Sequence, residues 1–258
     1  MPFRQNRCVV RIRTGGERDE SQPAGPWAKK FVDLAVLSAL VYRTVPNNLQ
    51  PPSGWSRSQD PRDTVDDSKT SLYFEVWERT QSDKVEVVAV FRGTHELKDW
   101  WSNLRWVTRF IPTGWDQYDL TRQEIPGVVD RAKRRHPKTP VEMATAGHSL
   151  GGGLAQQAAY AHPDIKVVVA FDPSPVTGFR SVPEPARDTN RQGIVISRAY
   201  ERGEILSYLR QFIRRFAPLS IANPAITEFR FNVTRGDPIK EHSMVKLARG
   251  LARAAVDC

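Results

Sequence analysis

Apolar residues recur along the chain in two rhythms. Over Trp27 to Arg43, Phe31, Leu34, Ala35, Leu37 and Val41 fall at helical spacing after Pro26, which predicts a helix. Residues 1 to 25 are polar, with Gly15-Gly16 and the stretch Ser21 to Pro26, and read as an irregular lead-in. Residues 46 to 68 hold Pro46, Pro51, Pro52, Gly54 and Pro61 and read as a long surface loop. Ser71 to Arg79 then alternates, and after the turn Gln81-Ser82-Asp83 the β-branched, apolar run Lys84 to Phe91 predicts a buried strand, the two forming a hairpin. Beyond it strands near 141–146, 166–171, 193–200 and 226–234 alternate with helices near 96–109, 116–136, 150–162, 204–216 and 243–255. Such alternation predicts an α/β fold: a mostly parallel central sheet with an N-terminal antiparallel element and helices on both faces.

A chain of 258 residues can bury one large core, so residues 1–258 are expected to form a single domain. No stretch approaches the roughly 18 uncharged apolar residues of a membrane span, and the first residues lack the long apolar run of a secretory signal. A cytoplasmic location is expected for the chain as written, with delivery by a specialised secretion machine as the alternative. Cys8 and Cys258 sit at opposite ends, which provides no metal-ligand spacing and predicts two free thiols; neither metal nor cofactor is implied. The net charge of +9 suits anionic lipid surfaces or nucleic acid, and charge alone does not choose. No nucleic-acid motif accompanies it, so no nucleic-acid partner is expected. The densest basic run, Arg131 to Arg135 with Lys138, falls at a predicted helix end, where cations favour the dipole on a solvated face.

The strand ending at Ala146 runs directly into Gly147-His148-Ser149-Leu150-Gly151-Gly152-Gly153 and then a helix. This is G-x-S-x-G in the strand, turn and helix setting that a nucleophile elbow requires. The turn strains the serine backbone and exposes its hydroxyl, and side chains at 147 and 151 would collide there. The helix start behind Ser149 offers unpaired N–H groups to developing negative charge, with the Leu150 N–H as the donor that elbow geometry provides. The bland alternative is a glycine-rich turn with an ordinary serine. His148 is expected to be structural, since adjacent residues on such a turn point apart.

With Val88-Ala89-Val90-Phe91-Arg92-Gly93-Thr94 and Asp99-Trp100-Trp101-Ser102-Asn103-Leu104 preceding GHSLGGG, the chain resembles the class 3 lipases and their bacterial relatives, over roughly residues 70 to 245. The resemblance implies an α/β-hydrolase fold and ester hydrolysis through an acyl-serine. It makes Thr94 the second oxyanion donor, by hydroxyl and backbone N–H. Asn103 stands where the family usually has an aspartate that orients that hydroxyl; an amide oxygen accepts more weakly than a carboxylate.

A serine needs an imidazole to remove its proton and a carboxylate to hold that imidazole. In this fold the chain order is serine, acid, histidine. His162 closes the elbow helix and serves its dipole. His242 follows the last strand, where the family places its base. The segment Glu201-Arg202-Gly203-Glu204-Ile205-Leu206 resembles the family's acid segment and makes Glu204 the acid, one methylene longer than the usual aspartate. Asp172, directly after strand 166–171, is the runner-up; Glu201 and Asp237 trail.

Leu97 to Ile111 interleaves Trp100, Trp101, Trp106 and Phe110 with Lys98, Arg105 and Arg109, as a lid or a membrane-contacting helix would. The alternative is a core-facing stripe. Phe212, Phe216, Leu219 and Ile221 form a second apolar patch near Glu204 that could help line a pocket. The resulting expectation is a lipase or phospholipase that acts on lipid esters and contacts anionic membrane surfaces peripherally. Acyl transfer on the same residues, or a non-catalytic scaffold binding lipid or a partner protein, are the alternatives.

Overall fold

The computed structural model describes residues 8–15, 19–43, 48–93, 106–202, 220, 222–234 and 243–258, with 106–116 described as backbone only. In chain order the elements are β1 (Val9–Thr14), β2 (Glu20–Pro23), α1 (Ala24–Leu40), β3 (Ser56–Arg57), β4 (Thr64–Asp67), β5 (Leu72–Thr80) and β6 (Val85–Phe91). There follow α2 (Trp106–Arg135), β7 (Val141–His148), α3 (Leu150–Ala161), β8 (Ile165–Phe171), α4 (Glu184–Asn190), β9 (Val195–Glu201), β10 (Ala225–Phe231) and α5 (Met244–Asp257). Among the described residues one ten-stranded sheet runs in the order β2-β1-β10-β9-β8-β7-β6-β5-β3, with β4 also paired to β5.

The central strands β6 to β10 are parallel, and β5 pairs antiparallel to β6 in the predicted hairpin. Parallel strands are covered on both faces, so they read as continuous apolar runs. In β6, Val88 and Val90 enter one core while Val85, Val87, Ala89 and Phe91 enter the other. The first core packs Phe31 and Leu37 of α1 and Leu247 and Leu251 of α5 against Phe171, Phe229 and Phe231. The second packs Ile125 and Val128 of α2 and Leu154 and Ala158 of α3 against Phe74, Phe91 and Ile196. Truncating one such phenylalanine to alanine costs about 3–5 kcal/mol, so both helical layers hold the strand ends firmly.

Of the expected irregular lead-in over residues 1 to 25, Val9–Thr14 and Glu20–Pro23 are instead strands. β1 pairs antiparallel with β10 and β2 with β1, extending the sheet past its parallel region. Only Val10 and Ile12 of β1 are buried, and their partner strand lies more than two hundred residues on, so no local pattern announces it. The expected loop 46–68 carries the short edge strands β3 and β4, whose polar residues suit an edge. α2 runs unbroken through Pro112 and Gly114, where the sequence reading ended one helix near 109 and began another near 116.

The expectation of two free thiols is corrected as well: Cys8 and Cys258 form a disulfide across 250 residues, with Cα atoms 5.1 Å apart. The Ala24 N–H donates to the Cys8 carbonyl at 2.8 Å, which fixes Cys8 at the start of α1. α5 packs along α1, and a Cβ on Gly25 would stand 2.6 Å from the Cys258 carbonyl carbon. The basic run at the end of α2 is likewise more than a solvated face. Arg131 and Arg135 both reach the fully buried carboxylate of Asp63, at 2.7 and 2.8 Å.

Candidate active site

β7 ends between β6 and β8, with Gly147 in register with Phe91 and His148 with Phe171. Ser149 then turns the chain into α3 with φ +58° and ψ −123°, a conformation that residues with a Cβ avoid and that stores on the order of 1–3 kcal/mol. Its N–H donates to Phe171 O at 3.0 Å, and its carbonyl accepts from Gly152 and Ser174 at 3.0 and 2.9 Å. These bonds over-determine the strained residue. The glycines are steric necessities: a Cβ on Gly147 would lie 2.4 Å from Gly151 O, and one on Gly151 2.3 Å from Phe91 O.

Leu150 is the first residue of α3, and helical geometry provides no acceptor for N–H groups of a first turn. Its N–H therefore suits an oxyanion, the use expected for it. Gly93, two residues past the end of β6, closes on the same turn: a Cβ there would meet His148 O at 2.6 Å and Ser149 Cβ at 3.1 Å. The end of β6 thus abuts Ser149.

Sequence reading missed Tyr42. Its hydroxyl accepts the Gly93 N–H at 3.0 Å and lies 2.9 Å from His148 Nδ1. With the ring hydrogen of His148 on Nε2, the phenol donates to Nδ1, and one hydroxyl ties the end of β6 to the elbow. Burial pushes the phenol well above its usual titration range, so it remains a neutral donor and acceptor. In the sequence Tyr42 only continues the apolar stripe of the first helix. His148 is held by Tyr42 in the structural role expected of it. His162 caps α3, where its Nδ1 accepts the Asp164 N–H at 3.3 Å; burial lowers its pKa.

Asp172 follows β8 directly, is fully buried and has φ +39°. Its N–H donates to Ala199 O at 2.9 Å and its Oδ1 accepts the Glu201 N–H at 3.0 Å, so it clips the end of β9. Glu201, the last residue of β9, is also buried, and its Oε2 accepts the Val233 N–H at 3.1 Å. Burial pushes the Glu201 carboxyl up to about 8; the Val233 N–H opposes the shift and the nearby Asp172 charge adds to it. Two acidic residues thus cross-brace the ends of β8, β9 and β10 behind the elbow.

The structure therefore brings Ser149, Leu150, Asp172 and Glu201 to one edge of the sheet. Thr94, Trp100, Trp101, Asn103, Glu204, Asp237 and His242 lie outside the described residues, as do the side chains of Trp106 and Phe110 and the apolar patch at 212–221. Among the described residues no cluster of histidine, cysteine or carboxylate could hold a metal ion, and no helix is long and apolar enough to cross a membrane.

A family model described as a Tle-like phospholipase domain matches residues 33–224. Among solved structures, the triacylglycerol lipase of Penicillium expansum is 15% identical with a TM-score of 0.55, over 81% of this chain and 81% of that one. The Rhizomucor miehei lipase in its propeptide complex is 17% identical with a TM-score of 0.51, covering 81% of this chain and 68% of the other. Lipase II of Rhizopus niveus is 16% identical with a TM-score of 0.51, covering 81% and 80%. At such identities the likeness is one of fold, and the fold is the α/β-hydrolase type. No curated protein matches the chain in sequence.

Proposed function

Since the chain belongs to the Tle-like phospholipase family, we propose that it hydrolyses carboxylic esters of lipids, phospholipids above all, through an acyl intermediate on Ser149. The observation that carries the reading is the strained Ser149 backbone at φ +58°, held between a strand and a helix start by glycines that no other residue could replace. A strained, hydrogen-bonded turn that presents a hydroxyl beside unpaired helix N–H groups serves acyl transfer better than it serves packing.

In this mechanism His242 takes the Ser149 proton as Oγ attacks the ester carbonyl. The oxyanion lies on the Leu150 N–H and on Thr94, oriented by Asn103. His242 then protonates the departing alkoxide, and water, deprotonated by the same imidazole, releases the fatty acid. Glu204 is the proposed partner of His242, because Glu201 to Leu206 resembles the family's acid segment, with Asp172 the runner-up. The tryptophans 100, 101 and 106 with Phe110 form the proposed lid or lipid contact, and the net charge of +9 favours an anionic membrane surface.

The test is hydrolysis of p-nitrophenyl esters from acetyl to palmitoyl beside a phospholipid panel, with Ser149→Ala as control and fluorophosphonate labelling of the intact protein. Activity and labelling that vanish together in the variant are expected. A Ser149→Ala protein as active as the parent, or a parent inert to every ester and to the label, overturns the reading.

A further inference from the structure

On the strand beside the end of β6, two arginines stand against the ring of Tyr73 and a third meets its neighbour Glu75. Arg43 Nε donates to Oε1 of the buried Glu75 at 2.9 Å, Arg57 Nη1 reaches the same oxygen at 3.3 Å, and the Tyr73 hydroxyl donates to it as well. The Arg92 guanidinium carbon stands 4.3 Å from the Tyr73 ring centroid and that of Arg43 5.4 Å. Arg92 has no ion-pair partner among the described residues. Asp66 lies opposite Tyr73 across the β4–β5 ladder, and no ion pair joins it to any of the three arginines. Three cations therefore face one engaged carboxylate, and the Arg43 and Arg57 side chains keep about half of their surface exposed, 49% and 47%.

The cluster is tied to the elbow through the backbone. The Arg92 N–H donates to Tyr73 O at 3.0 Å, and the next residue, Gly93, packs on Ser149. Arg43 follows Tyr42, whose hydroxyl takes the Gly93 N–H. Consecutive Cα atoms are about 3.8 Å apart, so Arg92 starts one residue outward from Gly93, while Arg43 is tied to the turn through the length of the Tyr42 side chain. A guanidinium stacked on an aromatic ring has its plane fixed while its N–H edge can still fork onto phosphate oxygens.

We propose that Arg43, Arg57 and Arg92 form a phosphoryl-binding subsite that receives the phosphodiester of a glycerophospholipid whose ester carbonyl lies at Ser149. The subsite rests on the reading of Ser149 given above and deepens it, naming the residues that hold the phosphodiester. In a glycerophospholipid the phosphate stands a few bonds from each ester carbonyl, which suits a cluster whose Arg92 adjoins Gly93, the residue packed on Ser149. A neutral glyceride offers these cations nothing. The phosphodiester brings a single negative charge and several acceptor oxygens to a cluster with a positive excess.

The experiment compares kcat/KM for monomeric dihexanoylphosphatidylcholine with that for dihexanoylglycerol, in the full chain and in Arg57→Gln and Arg92→Gln. Arg92→Gln leaves the partners of Glu75 in place, and thermal melts check that both variants fold. Each substitution is expected to lower the phospholipid-to-glyceride ratio about tenfold, mainly through KM, as befits a charge-assisted bond at a half-exposed site. An unchanged ratio, or equal losses on both substrates, overturns the subsite. Inorganic phosphate is the second arm. If it inhibits through the arginines while the ratio stays unchanged in the variants, the cluster takes free phosphate and the lipid assignment falls. Should the parent hydrolyse neither substrate, equilibrium binding of the two lipids to Ser149→Ala decides separately. A phospholipid preference lost in the arginine variants upholds the subsite although the ester reading has failed, and no preference overturns both.

Discussion

Glu201→Gln should change how stability depends on pH. The Glu201 carboxyl is 1% exposed at the end of β9, and burial raises its pKa from 4.5 to about 8. A carboxyl with a raised folded pKa binds its proton more tightly in the fold than in the unfolded chain. Its contribution is therefore fully present below pH 4.5 and is lost as pH rises through the folded value near 8. At about 1.4 kcal/mol per unit, a window from 4.5 to 8 corresponds to about 5 kcal/mol at most, since water that reaches an ionised Glu201 relaxes the penalty. Glutamine stays neutral throughout, and its amide oxygen can still accept the Val233 N–H that Oε2 takes at 3.1 Å.

Urea unfolding of the parent and of Glu201→Gln, measured from pH 4.5 to 8.5, isolates this group because every other titration is common to both proteins. Near pH 5 the two should be closely similar. By pH 8 the variant should be the more stable by several kcal/mol, the gap opening steadily in between. A gap that stays constant across the range would refute the reasoning, because Glu201 would then have the same proton affinity folded and unfolded. A gap that opens toward acid would mean that the backbone N–H groups at Val233 and Thr234 outweigh burial.

Two further outcomes are expected. In the chain-entropy description a disulfide closing a 250-residue loop contributes about 5.5 kcal/mol, so Cys8→Ser/Cys258→Ser should melt roughly 10 °C lower in a calorimetric scan, and reductant should reproduce the shift; a parent whose melting ignores reductant contradicts this. Tyr42→Phe removes the acceptor of the buried Gly93 N–H and the contact to His148, which should cost about 1–3 kcal/mol of stability and lower kcat more than it raises KM; kinetics identical to the parent would restrict Tyr42 to packing.

What the sequence announced and what it concealed divide along the range of the forces involved. The elbow was legible because its steric demand is local: a Cβ at 147 or 151 collides within the same turn or with the adjoining end of β6, so the glycines stand in the sequence at fixed spacing around Ser149. β6, β7 and β8 were legible because burial on both faces imposes an unbroken apolar run. Tyr42 was not, because a tyrosine on an apolar helical stripe looks the same whether its hydroxyl reaches solvent or, as here, Gly93 and His148. β1 and the disulfide depend on partners more than two hundred residues away, and neither two apolar residues nor two lone cysteines specify such a pairing. Asp172 and Glu201 drew notice as acids, yet their bracing of the strand ends follows only from register.

That register also explains why the candidate residues gather on one edge. Parallel strands present their C-terminal ends to the same side, so the residues just past consecutive strands become neighbours whatever their separation in sequence. Phe91 pairs with Gly147, His148 with Phe171, and Phe171 with Ala199, which aligns Arg92 and Gly93 after β6, Ser149 after β7, Asp172 after β8 and Glu201 at the end of β9. Read across the sheet, this edge runs from Arg92 through the serine to Asp172 and then to Glu201, whose buried carboxyl holds its proton up to about 8. Such a gradient suits an ester with a phosphodiester on one side and a proton-carrying base on the other. The cations would hold the head group, while the Asp172 charge would favour an imidazolium formed during attack. Reversing the charge of Arg92 should then disturb substrate choice, whereas loss of the Asp172 carboxylate should disturb the pH profile of kcat. Two different readouts thus separate the two ends of one strand edge.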